Sequence, residues 1–173
     1  MRQSGVDVEI AQNFAEVVLH VGAGTFRPLD AEALQSGELH SEIYELPEET
    51  VDAIRRTRAA GGRVVAVGTT TTRVLESCVD EAGELLPGRG STRLFIRPDG
   101  APFRVVDALL TNFHLPRSSL LLLVAAFVGR EPLLAAYRHA IASGFRFYSY
   151  GDAMLILPDV QETPDELPGS ELL

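Results

Sequence analysis

One apolar stretch that carries three polar side chains constrains the fold of this chain more than any other feature. Residues 105–116 place Asp107, Asn112 and His114 among valine, leucine, alanine and phenylalanine. A carboxylate or an amide that is buried without hydrogen bonds costs several kcal/mol, so the fold must either satisfy these groups internally or use them in a site. The segment alone leaves both possibilities open: an internal hydrogen-bonded network or part of an active site.

The length of the chain and its cysteine content limit the architecture. With 173 residues, 46% of them hydrophobic, the chain is long enough for one domain with a sizeable core. There is no internal repeat, and we expect one α/β domain over residues 1–157. The single cysteine, Cys78, allows no internal disulfide, and we expect it to be a small buried hydrophobe.

The apolar segments of the chain are too short to span a membrane. The longest fully apolar run, residues 120–129, has about half of the length that a bilayer-crossing helix requires. The first residues show no basic region followed by an apolar one. We therefore expect a soluble, cytoplasmic protein without a membrane partner.

The acidic charge is concentrated at the end of the chain. The formal net charge is −9, and five of the 24 acidic residues fall in residues 158–173, which contain three prolines and no basic residue. This composition predicts a solvated, unfolded tail. Without the tail, 15 basic residues stand against 19 acidic ones, and this excess of acid excludes a general polyanion-binding surface. Contact with RNA is expected to be local, at one of two arginine clusters: Arg55, Arg56 and Arg58, or Arg89, Arg93 and Arg97.

Glycine and proline residues divide the chain into alternating strands and helices. The patterns predict strands over residues 14–21, 63–67, 93–97, 103–106, 145–150 and 153–157. They predict helices that begin at Pro47, at about Thr72, at Ser118 or Ser119, and at Glu131. The order helix, strand, loop, helix in the middle of the chain is typical of a layered α/β fold with parallel strands flanked by helices.

Two loops that follow predicted strands are candidate ligand sites. Gly22 and Gly24 come directly after the first strand, where a backbone without side chains approaches a ligand closely, although the third glycine of the dinucleotide-binding pattern is missing. Gly68, Thr69 and Thr70 stand at the carboxyl end of a strand, where open α/β sheets bind ligands. The alternatives are a tight structural turn for the first loop and a helix cap for the second.

A third candidate site joins Asp107, Asn112 and His114 to Tyr150 and Asp152. If residues 105–109 are extended, Asp107 points to the opposite side from its two apolar neighbours. A buried hydrogen-bonded network is the alternative for these groups. No pair of histidines has a zinc-binding spacing, and no nucleophile elbow or phosphate-binding loop occurs, so we expect neither a metal site nor acyl transfer.

Taken together, five strings of the sequence closely resemble one family. They are LHVGAGTF at residues 19–26, HSE at 40–42, AVGTT at 66–70, VVDALLTNFHLP at 105–116 and RFYSYGDAM at 146–154. In this order and rough spacing they resemble the carboxyl-terminal half of the S-adenosylmethionine:tRNA ribosyltransferase-isomerase family of the queuosine pathway. The resemblance covers roughly residues 5–157. One mild departure is Thr71-Thr72, where the family usually has Ser-Val.

The resemblance implies a fold and a reaction. The chain would be the carboxyl-terminal part of a larger two-domain fold whose β-barrel domain is absent, with another chain as the possible source of the missing amino-terminal half. The reaction would transfer and isomerise the ribosyl unit of S-adenosylmethionine onto 7-aminomethyl-7-deazaguanine at the wobble position of a tRNA anticodon loop, giving epoxyqueuosine. S-adenosylmethionine would be a co-substrate, and no other cofactor is implied. The alternative is a truncated, inactive nucleoside-binding domain or a purely structural α/β domain.

The resemblance also implies which residues form the site. The reaction needs a base for the proton next to the sulfonium and an acid for the departing adenine. His114 is the first choice for this proton chemistry, ahead of His20 and His40, and Asp107 or Asp152 would orient a histidine or hold the sugar hydroxyls. The substrate-binding residues would be Gly22, Gly24, Thr25, Glu42, Gly68, Thr69, Thr70, Arg73, Asn112, Arg117, Tyr150 and Asp152. Among these, Arg73 and Arg117 would hold a carboxylate or an RNA phosphate.

Overall fold

The computed structural model describes residues 13–22 and 31–157, so the predicted tail at 158–173 and the loop residues Gly24 and Thr25 lie outside the described residues. In chain order the elements are β1 (Val18–His20), α1 (Ala31–Ser36), β2 (Glu38–Leu46), α2 (Glu48–Ala59), β3 (Val65–Val67), α3 (Thr69–Ser77), β4 (Gly88–Leu94), β5 (Ala108–Asn112), α4 (Ser119–Val128), α5 (Arg130–Ala142) and β6 (Ala153–Ile156). In this part of the chain the strands form two sheets, sheet A in the order β1-β2-β4 and sheet B in the order β3-β5-β6. The α/β class is confirmed.

Sheet B determines where the candidate site lies. β3 and β5 are parallel, with Ala66 opposite Leu109, and β6 runs antiparallel along the other side of β5. Because side chains alternate along a strand, Ala66 and Leu109 point into the core and are fully buried, whereas Val67 points outward and is 63% exposed. The carboxyl ends of β3 and β5 therefore meet at one edge of the sheet. α3 begins at this edge, directly after β3.

The hydrophobic core lies where both sheets meet the helices. Its fully buried side chains come from β2, α2, α3, β5 and α4: Leu46, Val51, Val74, Leu109, Leu123 and Val124. Cys78 is buried among them, as predicted. The prediction that α4 is buried on every side is confirmed only in part, since four of its residues are buried and the others are partly exposed.

Two helices begin where capping rules place them. α2 starts after Pro47 with Glu48 and Glu49 in its first turn, and its end is followed by Gly61 in the left-handed conformation at φ +76°. α4 starts after Ser118, whose Oγ accepts a hydrogen bond from the backbone N–H of Leu121 at 3.2 Å. A local hydrogen bond thus defines the start of α4, whereas the start of α2 is marked by its proline and its acidic first turn without a side-chain cap.

Other elements differ from the prediction for physical reasons. α3 begins at Thr69 rather than Thr72, so the predicted loop is its first turn. β5 starts at Ala108, and residues 103–106 are not a strand. β2 was not predicted, because charged and polar side chains along this strand hide the alternation of a half-exposed sheet. Among the strands that the structure describes, β3 and β5 are the one parallel pair.

The segment 145–150, predicted as a strand, is a turn whose aromatic side chains pack instead of pairing in a sheet. The ring of Phe147 lies 4.8 Å from that of Phe113 and 5.5 Å from that of Tyr137, measured between centroids. Aromatic residues favour strands only through such packing, which an isolated loop satisfies equally well. The segment is mostly exposed, and only Phe147 is partly buried by this packing, so the pattern assigned the wrong backbone.

In residues 13–22 and 31–157, no single helix is long and apolar enough to cross a membrane. α4 and α5 together reach the required length and composition, but the chain bends by 113° between them.

Candidate active site

A cleft of about 420 Å³ opens at the carboxyl edge of sheet B. Five of the predicted site residues line it: Gly68, Thr69, Thr70, Asn112 and His114. The other walls come from the residues after β5, the start of α4 and the loop before β6. No aspartate, glutamate, lysine or arginine is among the described residues that line the cleft. Its volume falls in the range of about 300–1,000 Å³ that is typical of small-molecule sites.

His114 lies two residues beyond β5 and is held on both its ring and its backbone. Its Nε2 atom is 2.9 Å from Oγ1 of Thr111. Its backbone N–H donates to the hydroxyl oxygen of Tyr137 at 2.6 Å, and the Tyr137 hydroxyl donates to the His114 carbonyl at 3.3 Å. Burial lowers the pKa of His114 from 6.5 to about 4, because a charged imidazole would lose its hydration. The imidazole is therefore neutral at pH 7 and able to accept a proton.

Tyr148 and Ser149 also line the cleft, and neither was among the predicted residues. Tyr148 has the left-handed φ of +65°, which costs a residue with a side chain about 1–2 kcal/mol. Its N–H donates to the carbonyl of Phe113 at 3.0 Å, and this bond supports the turn. Both residues belong to the RFYSYGDAM string, but the prediction of a strand there directed attention to Tyr150 and Asp152.

Gly68 forms the turn from β3 into α3. Its N–H donates to the carbonyl of Leu110 at 2.8 Å, which extends the pairing of β3 and β5 by one step. Its φ of +89° lies in the region that favours glycine, and there the chain turns directly into the helix. The backbone at the start of α3 thus lies against the cleft without an intervening loop.

The structure separates Asp107 from the other two polar groups of its segment. Asp107 lies at the amino end of β5, where its Oδ2 accepts a hydrogen bond from the N–H of Val64 at 2.8 Å and its own N–H donates to the Val64 carbonyl at 2.9 Å. Five residues of strand, about 16 Å, separate it from Asn112. The grouping of Asp107, Asn112 and His114 in one polar site is thus corrected, because an extended strand carries its two ends to opposite edges of the sheet.

Glu42 and Arg73 are brought together, but away from the lining of the cleft. They form a buried ion pair in which the two side chains are 2% and 3% exposed. Glu42 Oε1 also accepts a hydrogen bond from the N–H of Gly22 at 3.0 Å, and Arg73 Nε donates to the carbonyl of Leu94 at 3.2 Å. The pair therefore links the end of β1 to α3 and β4.

The remaining predicted residues in the described part of the chain do not line the cleft. His20 and His40 are exposed on β1 and β2 of sheet A. Asp152 accepts a hydrogen bond from the N–H of Arg146 and forms an ion pair with its side chain at 3.5 Å, while Tyr150 is 73% exposed. In the part of the chain that the structure describes, no three side chains of His, Cys, Asp or Glu are grouped closely enough to hold a metal ion.

Arg117 occupies the rim of the cleft. It is exposed, has a left-handed φ of +57°, and lies in the turn between Leu115 and Ser118, both of which line the cleft. A side chain in this conformation costs about 1–2 kcal/mol, which the surrounding turn must compensate. The turn therefore holds a cation beside the opening.

Comparisons with known proteins identify the relatives of this chain. The family model described as queuosine biosynthesis protein matches residues 7–156. The S-adenosylmethionine:tRNA ribosyltransferase-isomerase of Acaryochloris marina is 56% identical over 156 residues, which are 88% of this chain and 42% of that protein. The enzyme of the same name from Thermus thermophilus is 55% identical over 157 residues, with coverages of 91% and 43%.

A solved structure is similar as well. The crystal structure of S-adenosylmethionine tRNA ribosyltransferase from Thermotoga maritima superposes with a TM-score of 0.59 at 54% identity, over 67% of this chain and 41% of that one. The present chain spans about two fifths of the length of the curated relatives that it matches. With a family match that covers most of its residues, the chain belongs to the queuosine biosynthesis protein family.

Proposed function

We propose that this chain carries the donor-binding cleft and the principal base of a tRNA-modifying ribosyltransferase-isomerase. The reaction transfers the ribosyl unit of S-adenosylmethionine to 7-aminomethyl-7-deazaguanine at the tRNA wobble position and isomerises it to epoxyqueuosine. The observation that carries the proposal is a neutral, half-buried His114 in one cleft with Gly68, Thr69, Thr70 and Asn112. The relatives, named S-adenosylmethionine:tRNA ribosyltransferase-isomerases, suggest the reaction class.

His114 is assigned as the base that removes the proton next to the sulfonium. A general base must be unprotonated at the working pH, and burial keeps this imidazole neutral, although the lowered pKa also makes it a weaker base than an exposed histidine. The assignment therefore rests on its position in the cleft. In the tautomer whose Nε2–H donates to Thr111 Oγ1, Nδ1 keeps its lone pair for the substrate. Tyr137 holds the backbone of the same residue, which limits movement of the ring.

The neighbouring polar groups fit the two substrates. Asn112 is exposed at the end of β5, where its amide both donates and accepts hydrogen bonds, as ribose hydroxyls require. Arg117 at the rim suits a phosphate of the tRNA anticodon loop. His20 and His40 stay candidates for the acid that assists the departure of adenine. Asp107 is not assigned a role in the reaction, because its carboxylate accepts a hydrogen bond from the N–H of Val64 at the opposite edge of the sheet.

Adenine release tests the proposal. The chain is incubated with S-adenosylmethionine and tRNA that carries 7-aminomethyl-7-deazaguanine, alone and together with the part of the Thermus thermophilus relative that it does not match. Chromatography should detect adenine in at least one of the two arrangements. His114→Gln should abolish release, whereas His139→Gln, an exposed histidine on α5, should not. Absence of adenine in both arrangements, or a near-normal rate for His114→Gln, would contradict the proposal.

A further inference from the structure

The amino terminus of α3 faces the cleft with backbone donors that have no partner. No side chain caps the helix at Gly68. In residues 13–22 and 31–157, the N–H groups of Thr69, Thr70 and Thr71 make no hydrogen bond. Free amides and the helix dipole give such an end a partial positive charge that favours anions.

The four threonines at the start of α3 divide into two pairs. The hydroxyls of Thr71 and Thr72 donate back to the carbonyls of Val67 at 2.8 Å and Gly68 at 3.2 Å. The hydroxyls of Thr69 and Thr70 make no hydrogen bond within the described residues, and both threonines line the cleft. The hydroxyls of Thr69 and Thr70 thus stay available to a ligand.

Thr69 is the stronger indication of a ligand. Its side chain is nearly buried, with only 7% of the residue exposed. In the described part of the chain, Arg73 Nη2 is the only solvent-inaccessible side-chain nitrogen or oxygen without a hydrogen-bond partner. The Thr69 hydroxyl also has no partner, so it must be accessible to solvent. Because polar groups of nearly buried residues are almost always hydrogen-bonded and this hydroxyl has no partner among the described residues, its hydrogen bonds come from whatever occupies the cleft, water or a ligand.

Elsewhere the same fold satisfies comparable amides with its own side chains. Ser118 caps the start of α4. The carboxylate of Glu76 accepts hydrogen bonds from three consecutive backbone N–H groups, those of Arg104, Val105 and Val106, at 2.9 to 3.0 Å. The first turn of α3 contains no acidic residue that could do the same. The helices α2 and α5 also begin without a side-chain cap, but acidic residues in their first turns, Glu48, Glu49 and Glu131, offset the helix dipole. The start of α3 has neither a cap nor an acid, and it lines the cleft.

We infer that the start of α3, with the Thr69 hydroxyl, binds the carboxylate of the amino-acid moiety of S-adenosylmethionine. This inference rests on the proposed function, which makes S-adenosylmethionine the ligand of the cleft. The carboxylate is the only anionic group of that molecule, and its two oxygens accept several hydrogen bonds from amides and a hydroxyl. No acidic side chain among the described lining residues repels it. Arg73, the predicted carboxylate ligand, is instead paired with Glu42.

Titration calorimetry of the whole chain with two ligands tests the inference. We expect S-adenosylmethionine to bind at least about ten-fold more tightly than decarboxylated S-adenosylmethionine. The net charge of −9 would by itself favour the decarboxylated compound, which carries one more positive charge, so the expected preference opposes non-specific attraction. Thr69→Val should remove most of the preference by weakening only the binding of S-adenosylmethionine.

Thr72→Val is the matched control. It removes a hydroxyl from the same helical turn, but one that is used within the helix, and valine is the residue that the family usually has there. We expect this variant to keep the wild-type preference. In ¹H–¹⁵N spectra, S-adenosylmethionine should shift the amide signals of residues 69–71 more than the decarboxylated compound does.

Failure of the carboxylate assignment is distinguishable from failure of the proposed function. Equal affinity for the two compounds, or an equal loss of both in Thr69→Val, would overturn the carboxylate assignment while the nucleoside cleft stands. No binding of either compound at millimolar concentration would overturn the proposed function and the carboxylate assignment with it.

Discussion

The two edges of sheet B treat their backbone amides in opposite ways. At the amino end of β5, the carboxylates of Asp107 and Glu76 accept hydrogen bonds from four N–H groups, those of Val64 and of residues 104–106. At the carboxyl end of β3, the first three amides of α3 make no hydrogen bond in the described part of the chain. The contrast teaches that an acidic residue near a strand end is as easily a structural cap as a catalytic group. Which of the two it is depends on what its oxygens contact.

The largest expected effect comes from comparing a substitution of His114 at one edge with a substitution of Asp107 at the other. His114→Gln should lower the rate of adenine release by about 10²- to 10⁴-fold, because it removes the proposed base. Asp107→Asn should leave this rate within a few-fold, because its side chain contacts only the backbone at the far edge. Release assays on purified variants, normalised to folded protein by circular dichroism, measure both. Similar losses in the two variants would remove the functional distinction between the edges.

Glu76 should be the most important residue of the closed edge for stability. Glu76→Ala leaves three N–H groups without their charged acceptor, two of them partly buried and that of Arg104 exposed, which should lower the free energy of unfolding by about 3 kcal/mol. Urea denaturation measures the change. Glu81→Ala, which removes the same charge from an exposed position, should change the free energy by less than about 0.5 kcal/mol. A Glu76 variant as stable as the Glu81 control would show that these bonds contribute nothing.

The open edge should respond to acid. The pKa of His114 is lowered to about 4 by burial, whereas the unfolded chain has its histidine near 6.5. Between these two values the unfolded state binds more protons, so stability falls as the pH decreases from about 6.5 to 4. The expected loss is about 2–3 kcal/mol. The difference in unfolding free energy between the wild type and His114→Gln, measured across this range, isolates the effect; a difference independent of pH would contradict the burial argument.

The smallest expected effect comes from a pair of glycines with the same backbone angle. Gly68 and Gly83 both have φ +89°, and in neither case does an added Cβ meet an atom within 4 Å. Each substitution to alanine should therefore cost about 1–2 kcal/mol of backbone strain. Only Gly68→Ala should also weaken S-adenosylmethionine binding, since it displaces the start of α3. Calorimetry measures the affinity of both variants for S-adenosylmethionine. Equal affinities would show that the Gly68 turn does not contribute to binding of the ligand.

Short-range patterns predicted the features that depend on neighbouring residues. Pro47 with two glutamates defined the start of α2, and Ser118 defined that of α4, because capping involves groups three or four residues apart. Gly68 correctly predicted that the strand before it, β3, ends in a turn. His114, three positions after Thr111, was identified as a polar group in an apolar run, which is a property of the chain alone.

Contacts between distant residues decided the rest. Glu42 and Arg73 are 31 positions apart. The resemblance implied that both contact a substrate, whereas in the structure they form an ion pair with each other. Tyr148 enters the cleft because its N–H bonds to Phe113, 35 positions earlier. Composition and local pattern therefore determined the α/β class, the starts of α2 and α4 and the presence of polar groups near strand ends. Only tertiary structure decided which of those groups share the cleft, because a hydrogen bond or an ion pair across the core depends on the spatial meeting of elements that no local pattern encodes.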